Sequence, residues 1–224
     1  MTKKNDSGIS VSLMQIGILF CVCLVTSNLL GTKIFRVTDD IALPCAVLVF
    51  PISYILNDVI TEVWGFKRAR QIIWTGFAMN FIVVAFGGIA ALMPAVAPGA
   101  DTAFCEIFGF APQVTVASFL AFIIGSLMNA YVMTRMKLAD EGKSGYVWRF
   151  SLRAILSTII GEGLDSLIFI PLAFYVFPMI FGGNQLPLPV MLTMMASQVA
   201  VKTLYEIIVL PVTLKVVKYV KRHQ

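Results

Sequence analysis

Six long, mostly apolar stretches constrain the fold of this chain more than any other feature of its sequence. They lie at residues 9–30, 41–63, 71–93, 113–134, 150–180 and 190–217, and a helix needs about 20 apolar residues to cross a bilayer. Only 13% of the residues are charged, which is too few for a water-soluble domain. Lipid offers no partner to an open backbone, so the stretches should be helices. We therefore predict an all-α membrane protein, with one domain of six transmembrane helices over residues 1–224.

Basic residues are concentrated in every second connection between these stretches and at both ends. They are Lys3 and Lys4, then Lys67, Arg68 and Arg70, then Arg135, Lys137, Lys143, Arg149 and Arg153, and finally Lys215, Lys218, Lys221 and Arg222. Lysine and arginine beside membrane spans favour the cytoplasmic side. Both termini are therefore predicted to be cytoplasmic, and the loops at 94–112 and 186–189 to face outward. This distribution also argues against nucleic acid as the partner of a chain with net charge +5.

The sequence lacks the patterns that indicate a metal centre or catalysis. Its one histidine, His223, is in the tail, and its four cysteines form no CxxC motif, so neither a metal site nor a cofactor is expected. A disulfide between Cys45 and Cys105, both near the predicted outer face, stays open. There is no phosphate-binding P-loop, so the chain carries no ATPase of its own. We predict that the protein is not an enzyme.

The fifth stretch contains two carboxylates near its middle, in the segment "GEGLDS" at 161–166. A charge at the bilayer centre costs about 2.5–3.5 kcal/mol and is retained where it faces a cavity or a partner. Gly161 and Gly163 flank the glutamate and would let a helix or a ligand approach the backbone. One helix face is predicted to carry Thr158, Glu162, Asp165, Ser166 and Phe169, which recur at helical spacing.

The sixth stretch carries a second polar stripe at the same predicted depth, formed by Gln198, Lys202, Tyr205 and Glu206. One lysine cannot neutralise three acids, so a bound ligand or a bound proton is expected there. A structural clamp is the alternative, in which Lys202 pairs with one acid and locks two helices together. We favour a solute pathway at the midplane.

The second stretch adds Asn57 and Asp58 to the candidate binding residues. Glu62, one turn further, is a secondary candidate because it approaches the cytoplasmic surface, where Lys67, Arg68 or Arg70 could pair with it. Pro51 is predicted near the middle of this helix, where it would cause a kink beside a cavity. Single amides complete the set: Asn28 as a binding candidate, and Asn80 and Asn129 as secondary candidates that could equally join helices.

Two segments resemble a known family. "FPISYILNDVITEVWGFKRARQIIWTGF" (50–77) and "RAILSTIIGEGLDSLIFIPLAF" (153–174) are similar to the signature segments of the queuosine precursor transporter family. The length of the chain, its six predicted spans and its predicted inside termini also match this family. The resemblance therefore covers nearly the whole chain. It implies a multi-pass importer in the bacterial inner membrane. The implied substrates are 7-cyano-7-deazaguanine and 7-aminomethyl-7-deazaguanine.

The resemblance also suggests how the polar residues could bind such a substrate. Glu162 or Asp165 could accept two N–H groups from the guanine-like edge in a fork. Gln198 or an asparagine could donate to the ring carbonyl, and Phe169 or Tyr205 could stack on the flat face.

A rival hypothesis is a membrane-embedded binding subunit of an energy-coupling-factor importer, which would need a separate ATPase partner. A homodimer and the energy source of transport both stay open.

Overall fold

The computed structural model describes residues 10–38, 41–97, 99–140, 142, 144–182 and 185–222. The α-helices are α1 (Val11–Leu30), α2 (Phe50–Trp64), α3 (Phe66–Ala91), α4 (Ala100–Ala139), α5 (Tyr146–Pro171), α6 (Phe177–Phe181) and α7 (Leu188–Arg222). A π-helical turn, Leu172–Val176, joins α5 to α6. Strands β1 (Ile34–Arg36) and β2 (Ala42–Pro44) form an antiparallel hairpin, with Phe35 opposite Leu43. Three basic residues of the charge pattern, Lys3, Lys4 and Lys143, lie outside the described residues, as does His223.

Large apolar side chains lie on the outside of the helices, and several charged side chains are buried inside. Phe86 is 69% exposed and Ile208 67%, whereas Glu162 is fully buried and Lys202 only 3% exposed. Water would penalise this arrangement, but a bilayer favours it. Within the described residues, four helical segments are long and apolar enough to cross a membrane: α1, α3, α4, and α5 with its continuation to Phe181. The chain is therefore a multi-pass, almost entirely helical membrane protein.

The second predicted span, 41–63, is not one helix. Residues 42–44 form β2, a 3₁₀ turn occupies Cys45–Leu48, and α2 begins only at Phe50. The predicted kink at Pro51 is wrong, because this proline lies in the first turn of α2. Proline has no backbone N–H, but a residue in the first turn of a helix has no helical acceptor for one. Pro51 therefore costs α2 no helical hydrogen bond. With 15 residues, α2 is about 22 Å long, shorter than a bilayer core of about 30 Å.

The predicted outer loop at 94–112 is also mostly helical. Helix α4 begins at Ala100 and contains Pro112, so only the first part of this segment connects α3 to α4. The Asp101 carboxylate accepts a hydrogen bond from the Ala95 backbone N–H at 2.9 Å, which links the first turn of α4 to this connection. Cys45 and Cys105 are both free thiols.

Helices α4 and α5 cross closely at two glycines. A Cβ atom at Gly161 would lie 2.8 Å from the Gly125 carbonyl oxygen and 2.7 Å from the Asn129 Cβ. A Cβ at Gly125 would meet the Gly161 carbonyl at 2.6 Å. Small residues at such a crossing let helix backbones approach in a membrane. This contact places Asn129 of α4 beside the polar face of α5.

An aromatic cluster packs α1, α2, α3 and α4 together. Phe122 of α4 is at its centre, with ring centroids 5.2 Å from Phe50, 5.3 Å from Tyr54 and 5.3 Å from Phe77. Tilted and edge-on pairs at such distances are favourable beyond the area that they bury. The cluster fixes α2 so that its polar residues face α4, α5 and α7.

Candidate functional site

A small, partly open cavity lies where the end of α1, the hairpin and the start of α2 meet α4, α5 and α7. Its volume is about 30 Å³. Phe50 and Phe169 supply aromatic walls. Its polar lining residues are Ser27, Asn28, Ser118, Asp165, Gln198 and Lys202. The structure thus brings four of the predicted binding residues, and the secondary candidate Phe169, to one cavity.

Asp165 and Lys202 form a buried ion pair across the cavity wall. The Lys202 Nζ donates to Asp165 Oδ2 at 3.2 Å and lies 4.3 Å from the centre of the Phe50 ring. The pair joins α5 to α7, as the clamp hypothesis requires. Asp165 Oδ1, however, is buried and has no hydrogen-bond partner among the described residues. The carboxylate therefore keeps acceptor capacity that the clamp does not use.

Two amides complete the polar lining. The Gln198 Oε1 accepts a weak hydrogen bond from the Ser166 hydroxyl at 3.5 Å. Asn28 is 4% exposed, and its Nδ2 donor has no partner within the described part of the chain. Two residues of the same cavity lining thus have a buried polar atom without a partner among the described residues: an acceptor on Asp165 and a donor on Asn28.

A second set of predicted residues is buried but does not line this cavity. It contains Asn57, Asp58, Asn129, Glu162 and Glu206, all buried. The Asn129 amide donates to Asp58 Oδ1 at 2.7 Å, and the Asn57 amide donates to the Ser126 carbonyl at 3.3 Å. Neither oxygen of Glu162 has a hydrogen-bond partner among the described residues.

Glu62 is buried in an ionic cluster, not paired with the basic residues that follow it in the sequence. Its carboxylate lies 3.2 Å from Arg153, 2.8 Å from Lys221 and 3.9 Å from Lys137. Gly65, with φ 83°, turns the chain sharply between α2 and α3. Beyond this turn, the three basic side chains that could have paired with Glu62 are exposed: Lys67, Arg68 and Arg70. The alternative in which Glu62 pairs with them is therefore wrong.

The outer part of this ionic cluster continues to Asp140 at the end of α4. Asp140 accepts hydrogen bonds from Arg149 at 2.6 Å and Arg153 at 3.1 Å. Partial desolvation raises the pKa of Asp140, but these hydrogen bonds and charges outweigh it and hold the pKa below its ordinary value of 3.8. The ionic cluster, defined here as Glu62, Lys137, Asp140, Arg153 and Lys221, joins α2, α4, α5 and α7.

Two further candidates, Tyr205 and Asn80, do not line the cavity. Tyr205 is half-buried on α7. Asn80 is fully buried on α3, and neither atom of its amide group has a partner among the described residues. Sequence reasoning missed Ser27, Ser118 and Phe50 as cavity residues. A lone serine in an apolar stretch carries little signal, whereas Phe50 stands beside a proline that could have marked it.

Two comparisons identify the relatives of this chain. The family model described as "Putative vitamin uptake transporter" matches residues 44–216. A Bacillus subtilis (strain 168) protein described as "Probable queuosine precursor transporter" is 30% identical over 122 residues. That match covers 54% of this chain and about half, 52%, of the relative's length. No solved structure matches the chain. The family match covers most of the chain, so the protein belongs to the vitamin uptake transporter family, which is a family of transporters and not of enzymes.

Proposed function

We propose that this protein imports 7-deazaguanine precursors of queuosine across the bacterial inner membrane. The relative from Bacillus subtilis supports this substrate class by its description. The observation that carries the proposal is the cavity itself: its lining residues Asp165 and Asn28 each have one buried polar atom, an acceptor and a donor, without a partner among the described residues. A guanine-like edge offers the complementary groups, which are a ring N–H and an amine beside a carbonyl.

Asp165 is the residue that would read this edge. An ionised carboxylate has about four lone-pair sites, so the Lys202 hydrogen bond leaves room for two N–H donors. Asn28 would donate to the ring carbonyl. Phe50 and Phe169 would pack against the faces of the base. A site built to hydrogen-bond such groups strongly rejects analogues that lack them, because its own buried groups would be left unpaired.

The cavity must widen before it can hold such a substrate. A volume of about 30 Å³ accommodates about two water molecules, which is much less than a bicyclic base. We infer that this structure is a closed state and that the helices around the cavity separate on binding. In the proposed six-span topology with cytoplasmic termini, the cavity lies toward the outside. The ionic cluster then closes the cytoplasmic side.

Binding and uptake by the purified chain test the proposal. We expect labelled 7-cyano-7-deazaguanine to bind the protein in detergent and to enter proteoliposomes that contain this chain alone. Asp165→Asn replaces an acceptor with a donor, which leaves an N–H of the substrate unpaired at a cost of about 1–3 kcal/mol. Affinity should therefore fall about ten- to hundredfold, whereas Asp101→Asn, at an exposed acid, should bind like the parent.

Two outcomes would contradict this function. If the parent chain binds no deazaguanine, the substrate class is wrong. If the parent binds but takes up substrate only when a copurified ATPase is present, the chain is a binding subunit of a larger importer. Equal binding by Asp165→Asn and the parent would leave Asp165 as part of a structural clamp.

A further inference from the structure

Three buried carboxylates, one each on α2, α5 and α7, do not contribute to the lining of the cavity. Asp58 on α2, Glu162 on α5 and Glu206 on α7 are at most 1% exposed. Asp58 interacts electrostatically with Glu206 and Glu162, and Glu162 interacts with Glu206. We name these residues the inner carboxylate group. Their mutual repulsion in a dry interior would be severe if all three were charged.

Among the described residues, one cation faces these acids: Lys202 acts on Glu162 and on Asp165 together, so a single positive charge stands against several carboxylates. Tyr54 and Glu62 face them from α2, Asp165 from α5 and Lys202 from α7. Lys202 is hydrogen-bonded to Asp165, and Glu62 adds a further acid that is held by the ionic cluster. Helix α4 contributes the neutral Asn129, and α1 has no charged residue. The basic residues of α3 lie in its first turns and are exposed.

Several buried neutral oxygens near the inner carboxylate group have no hydrogen-bond donor among the described residues. Asn129 uses its amide nitrogen on Asp58, and its Oδ1 has no partner in the described part of the chain. The same is true of Asn57 Oδ1 and of Thr158 Oγ1, which is one turn before Glu162 on the same face. A carboxyl group that binds a proton becomes an O–H donor and can satisfy such acceptors. Among the described residues, no group of three or more His, Cys, Asp or Glu side chains is arranged to hold a metal ion.

We propose that Asp58, Glu162 and Glu206 form a proton-binding site that couples transport to proton entry. This inference rests on the proposed transport function and adds its energy source. A carboxylate of the group takes a proton from the outer side, becomes neutral and releases the proton on the cytoplasmic side. Two further acids, each one helical turn away from the site, extend the proposed proton route in both directions. Asp165 lines the cavity and is three residues after Glu162, and Glu62 is four residues after Asp58.

Proteoliposomes with a pH dye inside test the coupling directly. With the parent protein, addition of 7-cyano-7-deazaguanine outside should acidify the lumen. An inward proton gradient of one pH unit should support up to about tenfold accumulation per coupled proton, because one unit is worth about 1.4 kcal/mol. Glu206→Gln and Asp58→Asn should lose this accumulation but retain exchange of labelled for unlabelled substrate. Glu106→Gln, at an exposed acid outside the group, should keep both.

The outcomes separate the two proposals. Substrate exchange by the parent without acidification and without an effect of the gradient would overturn proton coupling while leaving the transport function intact. Undiminished accumulation by both variants would assign the coupling to other residues and overturn the site. Absence of any exchange by the parent would contradict the transport function, and the coupling inference would fall with it. Retained exchange shows that a variant is folded, and the parent measurement decides the coupling even where a variant does not fold.

Discussion

At the scale of single residues, the two glycines that flank Glu162 have different surroundings. Gly161 contacts α4, where an added Cβ would lie 2.7 Å from the Asn129 Cβ, whereas a Cβ at Gly163 would meet nothing within 4 Å. We expect Gly161→Ala to destabilise the protein by about 1–3 kcal/mol, as overpacked positions do. Gly163→Ala should be neutral or stabilising by up to about 1 kcal/mol, because alanine favours helix. Melting temperatures in detergent check both. Equal destabilisation by the two variants would contradict the close crossing at Gly161.

Lys202 is the only cation that pairs with an acid at the cavity among the described residues. Lys202→Met removes this charge and leaves Asp165 buried without its partner. Breaking a buried pair in this way costs about 3–5 kcal/mol. We expect a lower melting temperature and loss of deazaguanine uptake. Lys218→Met changes an exposed lysine of the same helix and is the matched control. If Lys202→Met melts and transports like the parent, the ion pair has no role in folding or in the site.

At the scale of the elements, the ionic cluster connects helices that are far apart in the sequence. Glu62 and Lys221 are separated by 159 positions, and Arg153 bridges Glu62 to Asp140. Arg153→Met should destabilise the protein by about 3–5 kcal/mol, because it leaves the buried Glu62 with weaker compensation. Arg135→Met, outside this cluster, is the control. Thermal unfolding in detergent is the measurement, and an unchanged melting temperature would contradict the contact between α2 and α5.

Asp140 gives the same ionic cluster a dependence on pH. Its folded pKa is below 3.8, so its contribution to stability is present above the unfolded pKa of about 3.9 and is lost as the pH falls through the folded value. Asp140→Asn should therefore melt below the parent at pH 7. The two melting temperatures should converge below about pH 4. A constant difference across this range would mean that the carboxylate charge contributes nothing.

Periodicity predicted which helix faces are buried, but not how the chain enters its helices. Every residue of the predicted α5 face is buried, as are Gln198, Lys202 and Glu206 of the α7 stripe. The spacing of polar residues in an apolar stretch determines these faces, because lipid excludes them from the outside. The start of α2 at Phe50 depends on the β-hairpin, and the partners of Glu62 depend on packing between distant helices. Neither is a local property of the sequence.

At the scale of the whole molecule, the positions of the cavity and the ionic cluster suggest how access is controlled. The cavity is bounded by the end of α1 and the start of α2, whereas the ionic cluster includes the end of α4 and the end of α7. The two lie at opposite ends of the polar interior. The proposed transport function requires that the two ends open in turn, so the orientation of the chain decides which end receives the substrate.

Reporter fusions test this orientation. If both termini are cytoplasmic, a reporter that works only in the cytoplasm should be active when it is fused after Gln224. The same reporter should be inactive when it is inserted after Ala97, in the connection that precedes α4. A periplasm-dependent reporter at the two positions should give the opposite pattern and serves as the control. An inactive reporter after Gln224 with an active one after Ala97 would mean that the molecule has the opposite orientation. The cavity would then face the cytoplasm and the ionic cluster the outside. The direction of transport proposed here would then be wrong, because the substrate would meet the cavity from within the cell.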